Sequence, residues 1–384
     1  MRTARTAIAW ALAGVICLAL PPGRSRAQET AADGLVAAAA ADPQGKRMAA
    51  AFQAWARAWN VPNASFVAMR GETVIGQAAR GARKVDTPVP VASLSKAITG
   101  VCVAKLVEAG RLSYNARLSQ LIPAYFKANP PYDAAARQIT VRELLTHTSG
   151  LGYDPAQGSA EFAALDFRKK NLSPILAMAL RVPLAVKTFR YNNVNYAALG
   201  LVIEAKTKQP YETWCRKTVL APVGAGAATL NPQWAVMSSF GGWRISALDY
   251  ARFLDHFRPA SKLMKTGPAA WPKTDVNGVS YGIGVEMRRN GGSYDLLHVG
   301  DWRWTEPGRK ADFAAFFAMW RQNLRFVATY APQAASGSVG DLYDRLYAAA
   351  YPGASGAARA SAPASEAAAA PAPLGGSDGG LLRD

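Results

Sequence analysis

The chain has 384 residues, half of them apolar and 18% charged, so it can bury the core of one large domain or of two closely packed ones. This composition excludes a fibre and a wholly disordered chain. The net charge of +18 favours acidic surroundings, but Lys and Arg are scattered and form no basic helix, which argues against nucleic acid. With three histidines and no HExxH or CxxC motif, nothing in the sequence supports a metal site.

The first 27 residues have the pattern of a secretory signal peptide. Arg2 and Arg5 precede an apolar run over residues 7–20, and two prolines and a small-residue site ending at Ala27 follow it. The run is short for a membrane span, so an uncleaved anchor helix is the weaker alternative. We therefore expect a periplasmic or secreted bacterial protein, cleaved near Ala27 and without a transmembrane segment. The mature charge would be +14, which favours an anionic cell-envelope surface as a neighbour.

The next elements are predicted to be a helix and a hairpin. Residues 28–44 are Ala-rich and predict a poorly ordered leader, whereas apolar residues recur at helical spacing over residues 44–59. Two β-prone runs flank Gly71 and Glu72 and predict a pair of antiparallel strands. Residues 93–110 are apolar on nearly every side, which is typical of a buried central helix.

The remainder divides into a helical middle and a strand-rich end. Residues 111–234 alternate helical patterns with Pro- and Gly-marked loops, and the part that follows contains short apolar runs separated by turns. Strands at both ends predict one domain over residues 45–352, whose α/β part of about 45–110 and 235–352 carries the helical part as an insertion. Residues 353–384 are of low complexity and are predicted to be a disordered tail.

The cysteines indicate no catalytic thiol. Cys17 would leave with the signal peptide, so Cys102 and Cys215 remain. Each lies in an apolar, helix-like stretch, and two cysteines do not make a disulfide framework. We therefore predict two buried thiols without a catalytic or metal-binding role.

Ser93 and Lys96 form the first candidate catalytic motif. No other serine in the chain is followed by a lysine three positions later, and on a helix this spacing places both side chains on one face. A serine hydroxyl becomes a good nucleophile when a neighbouring base removes its proton, and a buried lysine of lowered pKa can do so. A capping serine beside a solvated lysine is the alternative interpretation of this motif taken alone.

Two weaker motifs follow in the chain. Tyr191 and Asn193 form the only Tyr-x-Asn, in which a tyrosine hydroxyl could shuttle a proton and an asparagine could orient a substrate amide or carbonyl. His298 and Gly300 form an HxG triplet on a predicted strand, where a glycine would let a substrate lie close to the backbone. Neither motif is specific by itself.

In the order SxxK, YxN and HxG, these residues resemble the active-site signature of the class C β-lactamase superfamily, which also contains D,D-peptidases and related serine esterases. The resemblance covers about residues 45–350. Five segments carry it in the family's order: TPVPVASLSKAITG, VCVAKLVEAGRL, ITVRELLTHTSGL, FRYNNVNYAALG and GGWRISALDYARFL.

The resemblance implies an α/β fold of α+β type, like β-lactamases and penicillin-binding proteins, with a five-stranded antiparallel sheet flanked by helices. Ser93 would be the nucleophile, and Lys96 and Tyr191 would share the base and acid steps, with their division left open. The backbone N–H groups of Ser93 and Asp301 would stabilise the oxyanion. Three further residues would contribute to substrate binding: Asn193, His298 and Gly300. No cofactor is implied.

One departure from the family's pattern leaves the substrate open. Gly300 is followed by Asp301, Trp302, Arg303 and Trp304, a bulky and charged strand end where family members often carry small residues. An ionised Asp301 in the cleft would disfavour anionic substrates, so we expect a preference for neutral esters unless Arg303 turns inward.

The expected function is that of a serine hydrolase acting through an acyl-enzyme on a small ester, an amide or a D-amino-acid peptide. A true β-lactamase or D,D-carboxypeptidase is a close alternative. A penicillin-recognising binding or regulatory protein with little turnover belongs to another class, and an envelope-binding protein acting through its charge is a third interpretation. The intact serine, lysine, tyrosine and asparagine favour the hydrolase.

Overall fold

The computed structural model describes residues 42–265, 271–276, 278–290, 293–305, 310–320 and 324–353. The predicted signal peptide lies outside these residues, as do the predicted leader up to residue 41 and the predicted tail from residue 354. Within the described part of the chain, no helix is long and apolar enough to cross a membrane.

The helices lie mainly in the middle of the chain, with one near each end. They are α1 (Pro43–Ala58), α2 (Ser95–Glu108), α3 (Leu118–Leu121), α4 (Pro123–Ala128), α5 (Val141–Leu145), α6 (Ala160–Ala163), α7 (Ser173–Leu180), α8 (Asn193–Thr207), α9 (Tyr211–Cys215), α10 (Ala247–Phe253) and α11 (Ser338–Ala350).

The strands come from both ends of the domain. They are β1 (Asn63–Arg70), β2 (Thr73–Arg80), β3 (Val89–Pro90), β4 (Thr229–Leu230), β5 (Trp243–Ile245), β6 (Thr274–Val276), β7 (Val279–Gly282), β8 (Val285–Asn290), β9 (Ser293–Trp304), β10 (Ala311–Trp320) and β11 (Leu324–Ala331).

The main sheet is antiparallel and has the order β2-β1-β11-β10-β9-β8-β7-β6. Strand β1 pairs along its whole length with β11, with Asn63 opposite Ala331, so the two ends of the domain share one sheet as predicted. The predicted hairpin is confirmed by β1 and β2. Strands β3, β5 and β4 form a small second sheet beside the predicted helical insertion.

The predicted number of five strands is wrong, because eight are present in the main sheet among the described residues. Strands β8, β7 and β6 continue the sheet on the side of β9. Ile283 and Gly284 both have positive φ, of 53° and 76°, and make a tight two-residue turn between Gly282 and Val285. This turn folds one apolar run of the sequence into two paired strands.

The two faces of the sheet bury different cores. Helices α1 and α11 cover one face, where Phe66, Phe326 and Trp55 belong to a single apolar cluster. The other face packs against α2 and the helical part, with Val67 and Phe317 in the larger cluster. Neighbouring residues of one strand thus serve opposite cores, as the alternation of side chains along a strand requires.

Helix α2 passes through the larger core and is buried on almost every side, as its sequence predicted. It packs backbone to backbone on the β7–β8 turn. A Cβ atom added at Gly100 would lie 2.2 Å from the Ile283 carbonyl oxygen, and one at Gly284 would lie 2.3 Å from the Lys96 carbonyl oxygen. This turn therefore holds the part of α2 that carries Lys96.

Cys102 and Cys215 are fully buried, as predicted, but they are joined by a disulfide with their Cα atoms 5.7 Å apart. The prediction of two free thiols is therefore wrong. The bond links α2 to α9, and its partners are 113 positions apart in the chain. No local spacing signals a contact of that range, because it arises only when α9 packs on α2.

Candidate active site

Ser93 lies in a tight 3-10 turn, Ala92–Leu94, immediately before α2. Ala92 has a φ of 45°, in the left-handed region that residues other than glycine rarely adopt. Two hydrogen bonds hold the turn: the Val91 N–H donates to the Trp243 carbonyl oxygen at 3.2 Å, and the Tyr250 hydroxyl donates to the Leu94 carbonyl oxygen at 2.9 Å. The surrounding structure thus fixes an unfavourable backbone conformation beside Ser93.

Lys96 has no exposed surface, and its Nζ contacts three oxygen acceptors. These are Ser93 Oγ at 2.9 Å, Asn193 Oδ1 at 2.8 Å and the Phe240 carbonyl oxygen at 2.9 Å. Burial lowers the pKa of Lys96 to about 7, against a smaller opposing effect of nearby carboxylates. A substantial fraction of this lysine is therefore uncharged at neutral pH.

The three contacts have a chemical consequence for the uncharged lysine. A neutral amine has two N–H donors and one lone pair, and Asn193 Oδ1 and the Phe240 carbonyl oxygen can take only donors. The lone pair then faces Ser93 Oγ, the one contact that can donate a proton. The arrangement can accept the serine proton at Lys96 Nζ.

Tyr191 closes the other side of Ser93. Its ring centre lies 4.8 Å from Lys96 Nζ, and its hydroxyl is hydrogen-bonded to Ser93. Burial raises the pKa of Tyr191 well above its usual value, so the hydroxyl keeps its proton. It can therefore pass a proton on, but it is a poor base.

Asn193 is placed differently from the sequence-based expectation. Its Oδ1 accepts from Lys96, and its Nδ2 donates to Asp154 Oδ2 at 3.0 Å. Both ends of the amide are thus occupied by the protein. Asn193 borders the cleft, but in this structure its amide orients Lys96 and is not open to a substrate.

His298 is also placed differently, since it has no exposed surface and does not border the cleft around Ser93. Its Nδ1 lies 2.6 Å from the Val299 carbonyl oxygen and its Nε2 3.1 Å from the Tyr281 hydroxyl. A carbonyl can only accept, so the ring proton is on Nδ1. Burial lowers the pKa of His298 to about 3, so the ring is neutral. The expectation that His298 binds substrate directly is therefore corrected.

Gly300 permits a close approach between β9 and the turn that carries Ser93. A Cβ atom at this position would lie 2.3 Å from the Val91 carbonyl oxygen and 3.0 Å from the Leu94 backbone nitrogen. The glycine therefore lets β9 lie against the turn that carries Ser93. The structure thus gives this glycine a packing role, and its predicted role in substrate binding stays a prediction.

The cleft above Ser93 has a volume of about 390 Å³. Apolar side chains line part of it, namely Met237, Phe240, Trp302 and Trp304, and Asp301 lines it as well. Strand β8 pairs with β9 only as far as Leu297, so the rest of that edge faces the Ser93 turn.

Arg303 borders the cleft, but its guanidinium is paired with a neighbouring carboxylate. Its Nε lies 3.4 Å from Asp312 Oδ2, on the neighbouring strand β10. Its charge is therefore partly engaged by that carboxylate.

Sequence reasoning missed three residues of the site. Asp154 contacts Asn193, Tyr281 contacts His298, and the His147 ring lies 4.5 Å from the Tyr191 ring. Burial lowers the pKa of His147 well below its usual value, so this ring is neutral as well. His147 lies in the LLTHTSGL segment, but no spacing rule marks any of the three. Within the described ranges, no group of His, Cys, Asp and Glu side chains is arranged to hold a metal ion.

The fold and this site define the class of protein: an antiparallel sheet with helices on both faces, and a serine and a buried lysine at the start of the central helix. Residues 46–351 match the model of the family described as Beta-lactamase. The chain therefore belongs to the β-lactamase family of serine hydrolases.

Among curated proteins, the chain is 31% identical over 175 residues to Protein flp of Staphylococcus aureus (strain N315), covering 43% of this chain and 34% of that protein. It is 25% identical over 192 residues to a putative D-alanyl-D-alanine carboxypeptidase of Escherichia coli (strain K12), covering 44% of each. The chain thus matches less than half the length of these relatives.

Among solved structures, the D-amino acid amidase from Ochrobactrum anthropi SV3, complexed with L-phenylalanine amide, superposes with a TM-score of 0.64 at 17% identity, covering 80% of this chain and 98% of that one. The class C beta lactamase from Rhodobacter sphaeroides superposes with a TM-score of 0.60 at 16% identity, covering 78% and 98%. At these identities the likeness shows the fold.

Proposed function

We propose that the protein hydrolyses a substrate through an acyl-enzyme on Ser93. The observation that carries the proposal is the fully buried Lys96, whose pKa is lowered to about 7 by burial and whose Nζ lies 2.9 Å from Ser93 Oγ. Holding a lysine in this state costs stability, and a nucleophile with its base is the use that best accounts for it.

The proposed reaction begins at Ser93. Ser93 Oγ attacks the substrate carbonyl carbon while its proton moves to Lys96 Nζ, and the backbone N–H groups of Ser93 and Asp301 stabilise the oxyanion. Collapse breaks the bond to the leaving group, which takes a proton through the Tyr191 hydroxyl. Water then attacks the acyl-enzyme, gives its proton to the same pair, and releases the acid and free Ser93.

A neutral ester with an apolar acyl group is the substrate class that best fits the cleft. The Trp302 and Trp304 rings are stacked 5.8 Å apart and offer an apolar wall, which favours burial of apolar acyl surface. The carboxylates of Asp301 and Asp154 both act on Lys96 and would repel a substrate carboxylate. Arg303 also borders the cleft and offsets this repulsion only in part, because Asp312 engages its charge.

Hydrolysis of a D-amino-acid amide or peptide is the second candidate. The observation in its favour is the likeness to structures titled as a D-amino acid amidase and a D-stereospecific amidohydrolase, with TM-scores of 0.64 and 0.63. A penicillin-binding protein with little turnover would keep the same serine. The candidates differ in which reagent acylates Ser93 and in how fast the acyl group leaves.

Export is part of the proposal. The signal-peptide pattern over residues 1–27 supports it, and so does the Cys102–Cys215 disulfide, because such bonds persist mainly in oxidising compartments. The mature charge of +14 is compatible with an anionic envelope surface near the enzyme.

The direct test is intact-mass spectrometry after exposure to a fluorophosphonate and, separately, to a penicillin. We expect one fluorophosphonate adduct on the wild type and none on Ser93→Ala, which should stay folded because a hydroxyl at a helix start contributes only about 1 kcal/mol. Labelling of the Ser93→Ala variant at the wild-type rate would contradict the mechanism.

The substrate preference is tested by comparing kcat/KM for a short p-nitrophenyl ester and a chromogenic cephalosporin in wild type and Asp301→Asn. We expect the ester to be the better substrate, and Asp301→Asn to narrow the gap by removing a charge that repels the cephalosporin carboxylate. If the cephalosporin is already preferred and Asp301→Asn changes nothing, the protein is functionally closer to β-lactamases or D,D-peptidases.

A further inference from the structure

We propose that Asp154 is a positioning residue of this site: it determines which end of the Asn193 amide faces Lys96, and thereby directs the lysine lone pair toward Ser93. This inference rests on the proposed acyl-enzyme function. Asp154 lies in the loop between α5 and α6, outside every motif of the sequence.

The contacts of Asp154 define its role. Its Oδ2 accepts the backbone N–H of Asn193 at 2.8 Å and the Asn193 Nδ2 at 3.0 Å, at the first residue of α8. Its Oδ1 accepts the backbone N–H of Ala156 at 3.1 Å. The carboxylate thus accepts two hydrogen bonds from the first residue of α8 and is itself held by the loop. Burial raises the pKa of Asp154, whereas these N–H donors and the charge of Lys96 lower it, and the helix dipole favours its negative charge.

An ionised carboxylate has acceptors and no donors, so only the NH₂ end of the Asn193 amide can face Asp154. The amide is planar, and its oxygen must then face Lys96, where it lies 2.8 Å from Nζ. If the amide were reversed, its NH₂ group would face Lys96 and compete for the lone pair. Asp154 therefore excludes the orientation in which Lys96 could not act on Ser93.

The charge of Asp154 also acts on Lys96. Two carboxylates, Asp154 and Asp301, raise the pKa of the lysine against the larger effect of burial. The other titratable groups around Lys96 are uncharged at neutral pH, since burial lowers the pKa of the histidines and raises that of the tyrosines. These groups come from the loop after α5, from α8 and its preceding loop, and from β7 and β9: His147, Tyr191, Tyr196, Tyr281 and His298.

The test measures the rate of fluorophosphonate labelling of Ser93 against pH. We expect Asp154→Ala to lower the maximal rate about tenfold or more, the equivalent of one charge-assisted hydrogen bond, and to move the midpoint of the acid limb to lower pH. The amide in Asp154→Asn can face Asn193 with either end, so this variant should also have a lower maximal rate and a midpoint at lower pH. Thermal unfolding verifies that both variants are folded.

Two control variants separate the effect of the Asp154 charge on Lys96 from its effect on the orientation of the Asn193 amide. Asp301→Asn removes the second carboxylate that raises the pKa of Lys96, so its shift of the midpoint to lower pH reports the effect of charge on the lysine. Asp166→Asn removes an exposed carboxylate paired with Arg168 and should change neither quantity.

A double-mutant cycle tests whether Asp154 acts through Asn193. If it does, Asp154→Ala with Asn193→Ala labels no more slowly than the slower single variant, because both changes remove the same function. Multiplied losses in the double variant, or wild-type rate and midpoint in folded Asp154→Ala, would overturn the inference. So would an effect of Asp154→Ala confined to KM for cationic substrates, which would indicate direct substrate binding. A wild type that is not labelled would instead contradict the proposed function itself.

Discussion

Lys96 shows how its surroundings can turn an ordinary side chain into a base. Its Nζ has no exposed surface, and desolvation disfavours the ammonium more than the nearby carboxylates favour it. The same burial keeps Tyr191 protonated. The division of roles that the sequence left open is therefore proposed as follows: Lys96 takes the serine proton, and Tyr191 relays one to the leaving group.

A pH dependence follows from this assignment. Only the uncharged lysine has a lone pair, so kcat/KM for a neutral ester should rise with pH and level off above a midpoint near the pKa of Lys96, about 7. Below the midpoint the rate should fall about tenfold per pH unit. The measurement is kcat/KM between about pH 5 and pH 9 for the free enzyme.

Two outcomes would contradict the role of Lys96. A flat profile over this range would show that no base titrates near neutrality, and a midpoint near that of an ordinary lysine would show that burial does not lower its pKa. Lys96→Ala provides the matched variant, and it should be almost as inactive as Ser93→Ala, because a nucleophile and its base act as one unit.

At the scale of elements, the site depends on how closely β9 approaches the turn before α2. Gly300 permits this approach, since its missing Cβ leaves room for the Val91 carbonyl oxygen and the Leu94 backbone nitrogen. Ser93 and Asp301 line the same cleft, and the proposed oxyanion site needs the backbone N–H groups of both. The glycine of the HxG triplet thus has a role in strand packing.

Gly300→Ala should therefore impair both stability and rate. We expect a loss of about 1 to 3 kcal/mol in the free energy of unfolding, as for other overpacked sites, and at least a hundredfold slower labelling of Ser93. The control is Gly340→Ala in α11, where an added Cβ meets nothing within 4 Å and should stabilise the helix by about 0.5 to 1 kcal/mol. Labelling of Gly300→Ala at the wild-type rate would show that the approach of β9 is not needed.

For the whole molecule, the sheet joins two cores that the chain builds from distant parts. One face of the sheet packs against α1 and α11, which come from the two ends of the domain. The other face packs against α2 and the helical part. The Cys102–Cys215 disulfide lies inside the larger core and connects α2 to α9, away from Ser93. It therefore constrains the fold without touching the proposed chemistry.

Replacing both cysteines by alanine should cost about 2 to 5 kcal/mol in the free energy of unfolding, because the bond closes a long loop in the unfolded chain. The kcat for an ester should stay near that of the wild type. Urea unfolding and ester kinetics measure the two quantities, and reduction of the wild type under mild denaturation should reproduce the loss of stability. A large drop in kcat for a folded double variant would assign the cysteines a role in the site.

Local sequence patterns were sufficient to predict several elements of the fold and one contact of the site. The predicted helix at 44–59 corresponds to α1, the hairpin to β1 and β2, and the buried helix to α2, because helical and strand periodicities are properties of neighbouring residues. The SxxK spacing likewise brings Lys96 to Ser93 because three residues span about one helical turn.

Only the tertiary structure decided the rest. Asn193 meets Lys96 across 97 positions, Asp154 meets Asn193 across 39, and Cys102 meets Cys215 across 113, distances at which no periodicity in the chain predicts a contact. The sequence also could not predict the direction of the His298 side chain, because that side chain is hydrogen-bonded to the Tyr281 hydroxyl in another part of the sheet. The sequence alone thus determined the residue types and local elements that permit serine hydrolysis, whereas burial and long-range packing decided the charge, orientation and partners of each group.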